Sequence, residues 1–330
     1  MKRLILLSLT AFCLTSCWPF FSHTEDGKFL EEVVRLDEFN SEYDDYNSDL
    51  PSNRSESTHL LFSSKREKKN VFNLVSARAD FSYHKRLEIK PHENVVGSYS
   101  SDPYSGVQFL ASRANGNFNV LGPKSVLFPT DFNYHSEKND LMLFYADDSD
   151  GNLDIKHLTY GGNPDPEKFD ILNSDKDDAY PTFSYQGDKI YFCSNRGGNF
   201  DIYEVTIPRT SSEHVTRENV IHPKEYSIRK MDELSSPYED KCPYLLENTM
   251  VFVSDRPGGK GGFDLYTSTL ENGKWSAPVN AGDRINTLYN EYRPILPTIN
   301  FTYKLMIFSS DRPGGKGGFD LYMTGLEKNF

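Results

Sequence analysis

Short apolar runs alternate with glycine-rich polar turns along most of the chain. The clearest unit begins with Met250-Val251-Phe252-Val253 and continues from Ser254 to Tyr266 as SDRPGGKGGFDLY. The same letters recur from Ser310 to Tyr322, behind Leu305-Met306-Ile307-Phe308. A looser version, SNRGGNFDIY, runs from Ser194 to Tyr203 behind Ile190-Tyr191-Phe192. Each unit reads as strand, glycine turn, strand. The glycines supply positive φ where other side chains clash. The flanking runs are aromatic and β-branched, which suits a half-buried pleated surface.

With that pattern in hand, weaker copies emerge at Leu60 to Val75, Val107 to Val120 and Leu141 to Lys156. The Asn or Asp that opens each second strand marks the repeat: Asn73, Asn119, Asp154, Asp201, Asp264 and Asp320. Repeats of strands at roughly 40–50 residue spacing predict propeller blades. The expected fold is therefore all-β, a six-bladed β-propeller of four-stranded antiparallel blades filling residues 52–330. Inner strands are expected at Ala179 to Phe183, Lys241 to Leu245 and Tyr292 to Leu296, preceded by Asp178, Glu239 and Glu291. Leu127-Phe128-Pro129-Thr130 reads as the same feature. Proline is tolerated near a strand start because it forfeits no needed ladder bond. Few residues follow the last hairpin, so a segment between Phe29 and Leu61 is expected to lend the last blade its outer strand.

The acidic-x-x-Pro element, a turn such as Tyr185 to Lys189, and then Ile190 to Arg196 resemble the TolB-type propeller repeat, itself akin to WD-repeat blades. The stretch Asn280 to Tyr322 is similar to propellers that accompany OmpA-like peptidoglycan-binding domains in Bacteroidota envelopes. The resemblance implies a cell-envelope propeller.

The N-terminus fits that setting. Lys2-Arg3 precedes an apolar stretch from Leu4 to Leu14, too short to span a bilayer as a mature helix. It ends in Leu14-Thr15-Ser16-Cys17, which resembles a bacterial lipobox. Residues 1–16 then read as a lipoprotein signal peptide, with Cys17 as the lipidated (palmitate-bearing) residue and 17–51 as an acidic tether. An ordinary secretory signal containing Cys17 is the alternative. The expected location is the outer membrane, anchored by lipid and facing the periplasm or the outside. Of the four cysteines, Cys193 and Cys242 remain for the folded domain, as two buried thiols or as a disulfide.

A net charge of −12 disfavours nucleic acid as a partner. Arg256, Lys260, Arg312 and Lys316 form basic islands in the glycine turns and are candidate anion-binding residues. Their recurrence also fits a purely architectural role. No P-loop is present, since glycine follows Lys260 and Lys316. Asp148, Asp150, Asn152 and Asp154 have the spacing of a calcium loop, and equally of a hairpin turn, without the full EF-hand pattern. No other cofactor is indicated. Residues 206–237 interrupt the repeat and form a relatively basic candidate binding element. Sialidase Asp boxes, nucleophile elbows and His-Glu-x-x-His spacing are all missing from the sequence. The reading is a monomeric, non-enzymatic binding or scaffold module for an envelope protein or glycan. The alternative is a glycosidase-like propeller enzyme using channel-facing carboxylates.

Overall fold

The computed structural model describes residues 32–50, 57–84, 86–92, 105–128, 140–209, 216–297 and 304–326. The expected signal peptide, Cys17 and the tether before residue 32 lie outside these. A short strand, β1 (Val34–Arg35), comes first. The first sheet follows with β2 (Asp45–Asp49), β3 (Ser57–Ser64), β4 (Asn73–His84) and β5 (Arg86–His92). Helix α1 (Ser105–Ala114) leads to the second sheet, β6 (Val120–Phe128), β7 (Asp140–Asp147), β8 (Asp154–Thr159) and β9 (Glu167–Lys168). The third holds β10 (Asp178–Phe183), β11 (Lys189–Ser194), β12 (Asp201–Thr206) and, after helix α2 (Arg217–Ile221), β13 (Ser227–Lys230). The fourth holds β14 (Asp240–Leu246), β15 (Thr249–Ser254), β16 (Asp264–Glu271) and β17 (Lys274–Trp275), with β18 (Val279–Asn280) also on β16. The fifth holds β19 (Glu291–Ile295), β20 (Lys304–Ser310) and β21 (Asp320–Leu326), and β1 lies beside β21 with Val34 opposite Met323.

The architecture is thus an all-β propeller of five blades, which corrects the expected six. The surplus copy was Val107 to Val120. Its apolar residues Val107, Leu110, Ala111 and Ala114 are spaced by three and four, the period of a helix rather than a strand. They bury that face of α1 against Leu61 and Leu74 of the first blade and Leu141, Leu143 and Tyr145 of the second. Asn119 therefore sits just before an inner strand, while Asn73, Asp154, Asp201, Asp264 and Asp320 do open second hairpin strands. Leu127-Phe128 ends β6 instead of opening an inner strand, and Pro129 and Thr130 lie outside the described residues.

Each blade must be tied to its neighbours. Asp45, Asp178, Asp240 and Glu291 open the inner strands of four blades and are fully buried. Each takes an ion pair from an arginine in its own blade's hairpin turn: Arg66 at 2.7 Å, Arg196 at 2.6 Å, Arg256 at 2.5 Å and Arg312 at 3.0 Å. Each also accepts from the backbone N–H and hydroxyl of a residue four earlier, Ser41, Ser174, Ser236 or Thr287, in the linker from the preceding blade. The same arginines stack on blade aromatics, for example Arg256 over Phe252 and Tyr266. One carboxylate thereby joins the linker, inner strand and turn. Blade two departs from this pattern. Val120 stands at the acidic position, and Asp147 on β7 takes Lys156 of β8 at 2.9 Å.

A second staple recurs in the linkers. Asn40, Asn115, Asn173 and Asn286 each pair through both amide atoms with the backbone of Leu321, Leu74, Ile155 and Leu265, the second residue of the preceding blade's third strand. The Asn40–Leu321 pair joins the first and last blades.

Two expectations follow. Arg256→Met leaves the Asp240 carboxylate buried and without its cation, and should cost about 3–5 kcal/mol in urea unfolding. Asp240→Asn in the same background should recover part of that loss. His157 lies buried against Phe144 and Phe169, and burial lowers its imidazole to about 4. The folded protein holds it neutral, so its contribution is intact above the unfolded value near 6.5 and is lost as pH falls towards about 4. Relative to His157→Gln, the wild type should lose up to about 3 kcal/mol across that window.

Candidate binding site

The inner strands share a kink that aims side chains at the propeller axis. Two residues after each strand start, Asn47, Gly122, Tyr180, Cys242 and Arg293 have φ of 57°, 58°, 60°, 55° and 47°. Strand register breaks at each of these points. The next residue is Ser48 in blade one and Pro123, Pro181, Pro243 or Pro294 in the others. A bulge frees that amide from the ladder, so proline costs nothing there. A left-handed non-glycine residue costs about 1–2 kcal/mol, and the chain accepts four of them in one ring.

These residues fill the centre. Arg293 is fully buried and lies over the Tyr180 ring, 5.2 Å from its centroid. Its Nη1 and Nη2 donate to the carbonyls of Pro243 at 3.4 Å and Pro123 at 3.2 Å. Gly122 makes room for Tyr180, because a Cβ there would stand 2.3 Å from the tyrosine Cδ1. Cys193 and Cys242 are free thiols buried nearby; burial raises both, Cys242 to about 12. Further along the same strands, Lys124 Nζ meets Asp49 Oδ1 at 3.1 Å and the Tyr244 hydroxyl at 3.1 Å. Burial pulls the Lys124 ammonium down, but Asp49 and Tyr244 outweigh it and leave it raised.

On the glycine-turn side of this hub lies an aromatic mouth. The residue before each second hairpin strand is Phe72, Leu153, Phe200, Phe263 or Phe319, all half-buried. Tyr46 and Tyr292 project from the inner strands among them. Tyr46 lies 4.5 Å from Phe72 and 5.7 Å from Phe319 between centroids, and Tyr292 lies 5.4 Å from Phe263. Lys241 bridges Phe200 and Phe263, with its ammonium 4.5 and 5.1 Å from the two rings. The rings form one arc across blades one, five, four and three, and Leu121 and Leu153 take the corresponding places in blade two. Outside the arc the linkers carry Tyr43 and the exposed Tyr238 and Tyr289.

The residues singled out in the sequence lie elsewhere. Arg256 and Arg312 are the clamps described above. Lys260 reaches Asp283 at 2.8 Å and Lys316 reaches the Asp37 carbonyl at 2.7 Å. Asp148 accepts from the Asn119 backbone and amide, Asp150 pairs with Lys156 and Lys168, Asn152 donates to the Lys176 carbonyl, and Asp154 pairs with Lys168. Two ammonium groups thus occupy the surroundings of that turn. Among the described residues no group of three or more His, Cys, Asp or Glu is arranged to hold a metal ion. In the 206–237 segment, Arg229 turns onto Glu204 and Glu233, and Lys230 onto Asp201. The mouth aromatics were legible only as the aromatic-Asp step of each hairpin, and the hub only as residues preceding prolines.

Comparison with known proteins agrees on fold. No family model matches the chain, and no curated protein matches it in sequence. Among solved structures, an endo-arabinase from Bacteroides thetaiotaomicron is similar over 91% of this chain and 98% of its own, with TM-score 0.52 and 10% identity. An exo-β-1,3-galactanase from Phanerochaete chrysosporium is similar over 91% of this chain and 65% of its own, with TM-score 0.48 and 10% identity. TolB from Acinetobacter baumannii covers 92% of this chain and 64% of its own, with TM-score 0.36 and 12% identity. Only the first of these three exceeds a TM-score of 0.5, and at 10% identity it speaks to the fold alone.

Gly122→Ala tests the hub. It combines a clash with Tyr180 and a left-handed alanine, and should destabilise the protein by about 2–4 kcal/mol in urea unfolding.

Proposed function

We propose that this propeller is a non-enzymatic binding module of the cell envelope, anchored through lipid at Cys17, that seats a glycan or protein partner on its aromatic mouth. The arc of half-buried rings carries the reading. Six aromatic rings with one interleaved lysine give stacking faces, and the plugged hub beneath supplies a rigid floor. Aromatic rings offer large contact area at small entropic cost, and tyrosine hydroxyls add hydrogen bonds.

The second reading is a glycosidase-like enzyme. It draws on Asp49, the buried carboxylate beside Lys124 on the axial strands. A glycosidase needs two carboxyl groups about 5–9.5 Å apart across an open groove. Asp49 is committed to Lys124 and the Ser125 amide, and Asp45, Asp178, Asp240 and Glu291 are committed to the clamps. These engagements favour binding over turnover.

The experiment pairs capture with catalysis. Wild type and Phe200→Ala/Lys241→Ala, altered in the half-buried arc itself, are presented to solubilised envelope fractions and to a panel of purified envelope glycans. The expected result is saturable binding by wild type, weakened about tenfold or more in the double variant, with no product released. Release of sugar that disappears in Asp49→Asn would replace the binding reading with the enzymatic one. Equal capture by wild type and variant would remove the mouth from the binding surface.

A further inference from the structure

We propose that the propeller hub is a binding site for one small inorganic anion, of the size and charge of chloride, held between Arg293 and the inner strand that carries Asn47.

Charge is the first ground. Arg293 is completely buried, and no described carboxylate lies within ion-pair distance of it. The polar core along the axis contains Arg293, Lys124 and Asp49. Lys124 and Asp49 neutralise each other, which leaves one positive charge among the described residues. The surrounding groups do not balance it. Burial raises the thiols of Cys193 and Cys242 and the phenols of Tyr46, Tyr180 and Tyr292, so all five are neutral at neutral pH. A lone guanidinium removed from water is costly unless a counter-charge accompanies it.

Hydrogen bonding is the second ground, and it is independent of charge. Arg293 offers five N–H donors. Two of its nitrogens make long contacts to carbonyls, and Nε has no hydrogen-bond partner among the described residues. Among the described residues the only side-chain partner of Asn47 is the neighbouring Tyr46 phenol, the hydroxyls of Ser48 and Ser125 have none, and all three side chains are buried. Unpaired polar atoms thus gather on the inner strands of blades one, two and five. Native proteins rarely leave such groups unsatisfied. An anion supplies what Arg293 lacks, an acceptor with charge, and the Asn47 amide at the equivalent position of the adjoining inner strand can donate to it.

Size follows from enclosure. Arg293 and Asn47 have no exposed surface, and the Tyr180 ring lies against Arg293 with the mouth ring of Tyr292 beside it. A sugar acid or peptide carboxylate would have to displace those rings, whereas a monatomic ion need not. The site is therefore separate from the partner surface proposed above.

The probe is bromide. Crystals of the folded chain grown in sodium bromide should give an anomalous peak within hydrogen-bonding distance of Arg293 Nε. In solution, the thermal midpoint should rise saturably with bromide or chloride over the same ionic strength of sodium gluconate. Asn47→Gly keeps the left-handed backbone and removes the amide, and should weaken that stabilisation about tenfold. Peaks confined to surface lysines would mark an adventitious ion only and overturn the proposal. So would equal midpoints in bromide and gluconate. The crystallographic arm uses the wild type alone, so the result stands even if Asn47→Gly fails to fold. Loss of partner capture in the preceding experiment leaves this test untouched.

Discussion

The fold depends on a buried carboxylate placed where three chain segments meet. Asp45, Asp178, Asp240 and Glu291 each bind the linker that arrives from the previous blade and the arginine that caps their own hairpin turn. A buried charge tolerates no loose geometry, because an unpaired partner is expensive. The pairing therefore fixes blade orientation as well as holding the blade together. Apolar packing between blades supplies most of the favourable energy, yet it is non-directional. The ion pairs decide which of many apolar packings is adopted. Blade two, with Val120 at that position, borrows a Lys156–Asp147 pair one strand further out and leans on helix α1 for the remaining burial.

The same strands carry the kinks that build the hub. A bulge sends one residue per blade towards the axis, so a repeat that is uniform in its clamps becomes diverse where it meets itself. Asn, Gly, Tyr, Cys and Arg occupy the five equivalent places. Gly122 yields its volume to Tyr180, and Arg293 reaches from blade five to the backbones of blades two and four. The hub thus ties blades together across the axis, while the linker asparagines tie neighbours around the rim. Above it, the mouth inherits its position from the hairpins. The residue before each second hairpin strand, aromatic in four of the five blades, emerges at the end of the sheet that carries the turns, and the ring closes these aromatics into an arc.

How far this was readable along the chain varied with the kind of signal. The hairpins at 250–266 and 305–322 were plain, because strand, glycine turn and strand are neighbours in sequence. The Val107–Val120 stretch shows how the signal fails. Its letters, with arginine, glycine and asparagine before an apolar residue, imitate the turn, but apolar residues at 107, 110, 111 and 114 follow a helical period. Similarity to the repeat outweighed periodicity, and one blade too many was counted. The arginines and lysines of the turns invited an anion-binding reading, but each is engaged by a carboxylate or carbonyl of this chain. Their partners sit 16 to 279 residues away in sequence, so no local pattern could expose them.

By itself, the sequence determined the strand-turn-strand unit, its repetition and hence a propeller, since each of these rests on contacts between residues close in the chain. The clamps, the axial meeting of Asn47, Gly122, Tyr180, Cys242 and Arg293, and the aromatic mouth were decided only in three dimensions. They arise where repeats distant in sequence are brought edge to edge by ring closure. A local pattern says what a blade is made of, and only the closed ring says which blade faces which.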